Sequence, residues 1–482
     1  MRARRPLLAF FLGAAPVFVA MLARGPAREA PPPSPPDVAV RPEVRWIAIA
    51  GGLEPASTEV SMAQDVAALR EALGAADGVI HFGAGPGSPV SVVAEASPPT
   101  LRSRLAALFA PRDRARRFVA GPAAHGPARF GPVLDALDAA AHHPGPPLLV
   151  YLAGHGDGGE APAESLFRLW GGFALAPVDL AHVLDGAARP VRVVSSACFG
   201  GGFAEVLFTQ ADPLLGPAEP VRCGLFATAW DTEASGCDPD PDRGRQESWA
   251  IHFLHALRGE DRRGRPDPTI DRDGDGRVGL LEAHTVARIR AVSFDVPTTT
   301  SERWLVHAAQ VLELDEAAPR AALPEEEAVV AELGAALGAP TEAAAERAWA
   351  DAELALRQAD EALAELERRA DDAFFALRIR LLERWPTLDD PWDPRFERAL
   401  AEDGPAIEAV LERTPEAAAH REARAALEAA LEERDGLQVA LARRRRLAEA
   451  WDALSLAGAL EAHGGPAWAT FEALRACERL PP

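Results

Sequence analysis

The sequence predicts an α/β fold: a mostly parallel sheet with helices on both faces, followed by an α-helical C-terminal domain. Two observations carry this. Between residues 45 and 260, short apolar runs alternate with stretches whose apolar residues recur at helical spacing, the pattern of strands buried on both faces and joined by crossover helices. Beyond about residue 316 the apolar runs stop, and Ala, Glu, Leu and Arg dominate. Ala352, Leu356, Ala359, Leu363, Leu366 and Ala370 then recur at three and four, which belongs to a helical bundle or long hairpin.

The elements follow in order. Residues 46–50, 78–82, 148–152, 191–195 and 224–228 read as strands, because each is a short apolar run rich in β-branched residues. Residues 61–73, 130–141, 248–257 and 281–292 read as helices, and another begins near Gly202. In the C-terminal half, 325–380 and 405–460 are helical. The segment 385–394, which holds Pro386 and Pro394, breaks them, because proline lacks an N–H donor and restricts the residue before it.

Composition narrows the function. The 482 residues are 48% hydrophobic and 25% charged, the balance of a folded protein, and the net charge of −22 excludes nucleic acid as a partner. Lys and Asn are both absent, as expected of a GC-rich bacterial genome, and without Asn no N-glycosylation sequon exists. Arg2, Arg4 and Arg5 precede an apolar run over 7–23 that contains Pro16. Residues 1–24 therefore read as a signal peptide or an uncleaved N-terminal anchor. The chain is expected to be exported: periplasmic, secreted, or anchored to a membrane if the segment is retained. Residues 25–40 form a proline-rich linker, 41–315 an α/β domain and 316–482 the helical domain.

Two strand ends carry the chemistry. The third strand runs into Gly154-His155-Gly156-Asp157, and the fourth into Ser196-Ala197-Cys198-Phe199-Gly200-Gly201. Parallel strands release their loops at one edge, so a thiol nucleophile and an imidazole meet there. The adjacent glycines let backbone approach a peptide and offer amides to an oxyanion.

At these residues, LVYLAGHG and VRVVSSACFGGGF, the chain resembles the caspase-like cysteine peptidases, and within them the legumain family. The likeness continues through LFATAWDTEASGCD and covers about residues 45–260. It implies a caspase-like three-layer sandwich and a cysteine endopeptidase acting through a thioester. Cys198 is then the nucleophile, His155 the acid/base, and the amides of Gly156 and Cys198 the oxyanion donors. Ser235 and Glu247 correspond to substrate-pocket positions. The loop after the first strand lacks the Asn and Arg that legumains place there, so cleavage after Asn is not implied. With an acidic pocket at Glu247, self-processing at the basic run 443–446 is expected instead. The remaining cysteines are Cys223, Cys237 and Cys477, and Cys223 with Cys237 is the expected pair if one forms.

Residues 271–282, DRDGDGRVGLLE, match a calcium loop. Asp271, Asp273 and Asp275 take positions 1, 3 and 5, Gly276 the sharp turn, the Arg277 carbonyl position 7 and Glu282 position 12. A structural Ca2+ is expected, in a loop without a partner hand. Two rival functions stand beside the peptidase: a non-catalytic calcium-binding interaction protein whose helical domain docks a protein partner, and a peptide ligase or transpeptidase that resolves the thioester with an amine.

Overall fold

The structure, a computed structural model, describes residues 44–74, 77–94, 98–110, 116–315 and 317–482. The predicted export segment and proline-rich linker lie outside the described residues. The strands are β1 (Trp46–Gly51), β2 (Gly78–Phe82), β3 (Pro89–Val93), β4 (Arg116–Ala120), β5 (Leu148–Gly154), β6 (Gly156–Asp157), β7 (Leu166–Leu169), β8 (Phe173–Leu175), β9 (Val191–Ser195), β10 (Arg222–Phe226) and β11 (Thr298–Thr299). The helices are α1 (Val60–Leu73), α2 (Leu101–Phe109), α3 (Phe130–Ala141), α4 (Pro177–Leu184), α5 (Trp249–Ala256), α6 (Leu280–Arg290), α7 (Thr300–Val311), α8 (Pro324–Leu337), α9 (Glu342–Leu382), α10 (Pro394–Arg413), α11 (Pro415–His463) and α12 (Gly465–Arg479).

The central sheet has the order β11-β10-β9-β5-β1-β2 and is parallel except for the pairing of β10 with β11. Its strands bury both faces, and the alternation of side chains assigns each residue to one of two cores. Trp46, Ala48 and Ala50 of β1 pack with α1, α5 and α6, while Ile47 and Ile49 pack with α3 and α4. The chain leaves β1 in one direction to β2 and in the other to β5. That makes the β1–β5 boundary a topological switch point, where the diverging loops open a crevice at the carboxyl ends of the strands.

The strands and helices expected before residue 300 form with ends moved by at most two residues, whereas the expected 325–380 and 405–460 spans each fall across two helices, α8 with α9 and α10 with α11. The predicted fifth strand runs two residues earlier than expected. The helix expected near Gly202 is instead a 3-10 segment, Gly200–Leu207. Gly202 packs so tightly that a Cβ there would meet Ser165 Oγ at 2.0 Å. The β3–β4 hairpin, a small sheet of β6, β7 and β8, and helices α2, α4 and α7 were not anticipated.

In the C-terminal region α9 and α11, of 41 and 49 residues, pair along their length. At 1.5 Å per residue the longer spans about 70 Å. The far end of the pair and α10 bury Leu377, Leu381, Trp385 and Phe396 against Leu105 and Leu108 of α2. At the near end, Leu454, Ala457 and Leu460 of α11 pack with α7 and α12 beneath β10. No helix among the described residues is long and apolar enough to cross a membrane.

One expected pairing is corrected. Cys223 bonds to Cys477, with Cα atoms 6.1 Å apart, and not to Cys237. Cys223 lies inside β10, under α12, whereas the loop after β10 carries Cys237 away to the carboxyl edge of the sheet.

Candidate active site

β5 ends at Gly154, next to His155, and β9 ends three residues before Cys198. The two strands are hydrogen-bonded neighbours, with Leu152 opposite Ser195, so their loops leave the sheet together. They touch: a Cβ on Gly156 would lie 2.0 Å from the Cys198 carbonyl oxygen, and only glycine fits. Phe199 follows Cys198 with a left-handed φ of 55°, strained for a bulky residue. Its N–H donates to Thr232 O at 2.9 Å, and this ties the thiol loop to the loop after β10.

His155 Nε2 donates to Ser57 O at 2.8 Å and to Glu59 Oε2 at 3.1 Å. Glu59 stands just before α1, in the loop after β1, and its side chain is only 7% exposed. Its other oxygen lies 3.6 Å from Arg116 Nη1 on β4, and Ser91 N on β3 donates to Thr58 O at 2.7 Å. The unanticipated hairpin thus braces the carboxylate that orients the imidazole.

Cys198 Sγ accepts from Ala234 N at 3.3 Å and donates to Ala234 O at 3.5 Å. Three residues further on, Cys237 Sγ lies 4.0 Å from Gly154 O, and its thiol is within hydrogen-bonding reach of the His155 ring. Nε2 is committed to Ser57 and Glu59, which leaves Nδ1 for the Cys237 thiol. Hydrogen bonds to Cys237 and Glu59 push the His155 pKa up to about 11 against the cost of burial. Burial first, and then the neighbouring Cys237, push the Cys198 thiol up to about 12. The contacts with Cys237 and Glu59 thus favour the charged imidazole, and burial favours the neutral Cys198 thiol.

No protein-family model matches this chain, and neither does any curated protein.

Of the two pocket residues expected, Ser235 lies in the Ala234–Cys237 loop beside Cys198, and its N–H donates to Asp295 Oδ1 at 2.5 Å. Glu247 serves elsewhere. Its oxygens accept from His252 Nε2 at 2.7 Å, from Val292 N at 3.0 Å and from Arg262, none of which belongs to the His155 or Cys198 loops. Both its oxygens are spent on holding α5 to neighbouring loops, so the basic preference expected from an acidic Glu247 pocket loses its basis.

Sequence reasoning missed Glu59, Cys237 and Asp295. The first two carried a usable signal. Each lies in a loop after a parallel strand, at the edge where His155 and Cys198 emerge. Asp295 carried none, because it precedes a two-residue antiparallel strand.

In the 271–282 loop, Asp271, Asp273 and Asp275 bring one oxygen each to within 4.8 Å of the others. Gly274 and Gly276 adopt φ of 74° and 83°, the turns that fold the carboxylates inward. Glu282 stands apart from that cluster. Its oxygens accept from Arg272 N at 2.6 Å and Gly279 N at 2.8 Å, and this closes the two ends of the loop. The three-carboxylate donor set suits a hard, oxygen-seeking cation.

Proposed function

We propose that the chain is a cysteine endopeptidase of the caspase-like type, with Cys198 as nucleophile and His155 as acid/base. The observation that carries this is the meeting of two strand-end loops beside the switch point, the Cys198 loop touching the His155 loop at Gly156, with the imidazole oriented by Glu59. In the reaction, His155 takes the Cys198 proton, the resulting thiolate attacks the scissile carbonyl carbon, and the C–N bond breaks as His155 passes that proton to the departing amine. Water then attacks the thioester carbonyl, giving up a proton to His155, and the acid leaves as the thiolate is restored. The Gly156 and Cys198 amides lie where the loops touch and would hold the carbonyl oxygen as it gains charge.

The disulfide suits an oxidising compartment and hence an exported protein. Asp271, Asp273, Asp275 and the Arg277 carbonyl would hold a structural calcium ion, which Glu282 would reach by exchanging its backbone bonds for the metal.

Cys198→Ala decides the assignment, because it removes the nucleophile and little volume. Hydrolysis of a fluorescent peptide library should vanish while the melting curve stays in place, and a Cys198→Ala protein that still cleaves peptides overturns it.

A further inference from the structure

We infer that the C-terminal helical hairpin is a working part of the site, in which Arg446 and Asp295 are the positioning residues for the loop that grips Cys198. This rests on the assignment of Cys198 as the nucleophile.

The connection is continuous and buried. Arg446 lies on α11 and is fully buried, far in sequence from the sheet. Its Nε donates to Asp295 O at 2.6 Å, its Nη1 to Ala291 O at 2.7 Å and Arg288 O at 3.3 Å, and its Nη2 to Ser293 O at 2.7 Å and Ser293 Oγ at 3.2 Å. One guanidinium therefore gathers the end of α6 and the strand-like segment that follows. A compact ammonium has too few donors for this fork.

That segment delivers Asp295, also fully buried. Its Oδ1 accepts from Ser235 N at 2.5 Å. Its Oδ2 accepts from Trp249 N at 2.7 Å and Ser293 Oγ at 2.6 Å. Ser235 adjoins Ala234, whose N–H donates to Cys198 Sγ. At the loop's outer end, Arg445 Nη2 donates to Asp231 Oδ1 at 2.9 Å. Consecutive arginines of α11 thus hold both ends of the segment 231–235. The buried anion and buried cation each cost desolvation, which raises the Asp295 pKa and lowers that of Arg446, and their mutual attraction offsets only part of it. Removing either charge strands the other and frees the loop.

The test uses the full chain. Asp295→Asn puts a donor opposite a backbone N–H, and Arg446→Lys keeps the charge but not the fork. In both, amide hydrogen exchange over 231–238 should rise about tenfold while β1 and β5 keep their protection. Turnover of labelled casein should fall about tenfold, with iodoacetamide alkylation of Cys198 retained or accelerated. A thiol that still reacts but no longer catalyses is misaligned, whereas a general folding defect would expose β1 and β5 too. If Asp295→Asn does not fold, Asp231→Asn cuts the surface contact alone and should raise exchange over 231–238 about threefold. Unchanged exchange there in the folded variants overturns the inference, as does a loosened loop with full turnover. A wild type inert towards casein defeats the peptidase assignment alone, because the exchange measurement still decides whether α11 holds the loop.

Discussion

His155 and Cys198 share their edge of the sheet with a second thiol, Cys237, which shifts both of them. Cys237 contributes most to raising the His155 pKa and is the leading charge effect on Cys198. Cys237→Ala should therefore lower both. Alkylation of Cys198 in the free protein should begin about one pH unit lower than in the wild type, as mass spectrometry over a pH series would show. Glu59 acts on His155 in the same direction. The folded pKa of His155, near 11, lies above its ordinary 6.5. The interaction with Glu59 is thus present in full below pH 6.5 and is lost as pH rises through about 11. Glu59→Gln should cost about 1.5–3 kcal/mol at neutral pH, and the difference from wild type should shrink above pH 11 in thermal melts. His155 and Cys198 could be found in the sequence because each sits at the end of an apolar strand beside glycine. Their partners could not be found so directly, since Glu59 and Cys237 meet His155 only once three separate strands lie side by side.

The 271–282 loop shows how far a local pattern reaches. The turn at Gly276 and the gathering of Asp271, Asp273 and Asp275 follow from loop spacing alone. What the loop is attached to does not. Leu280 N donates to Leu480 O, and Arg272 Nη2 to Glu332 Oε1 on α8 at 2.9 Å, so the loop joins α6 to the C-terminal helices. Calcium binding should then stabilise the whole chain, by about 2.7 kcal/mol at a hundredfold excess over Kd. Asp273→Asn should abolish that gain. Calorimetry with and without chelator measures both, and equal melting temperatures would exclude a bound ion. The β3–β4 hairpin is the opposite case. Its short strands and mixed polarity (Arg116 and Arg117 beside Phe118 and Val119) give weak alternation, yet it braces Glu59.

Across the molecule, the helical half is fastened to the sheet by buried groups. Arg475 of α12 binds Glu325 and Glu326 of α8, and Glu478 accepts from Thr300 Oγ1, Ser301 N and Ser301 Oγ at the start of α7. The Cys223–Cys477 bond closes a loop of 254 residues. Cys477→Ala should cost about 2–4 kcal/mol by releasing the unfolded chain, visible as a lower denaturant midpoint that reductant no longer changes. The basic run 443–446, expected as a processing segment, lies within α11 with Arg446 buried. A cut there would need the helix to open first.

Alternation of apolar strands and helices, the two strand-end motifs and the acidic loop are local patterns, and each could be read from neighbouring residues, because secondary structure and loop turns obey short-range periodicity. Long-range pairing obeys no such rule. Only the packed chain joins Cys223 to Cys477 rather than Cys237, commits Glu247 to His252, Arg262 and Val292, and brings Arg446 and Asp295 behind the thiol loop. A buried charge or thiol is placed by whatever partner the fold carries to it, however distant in the chain.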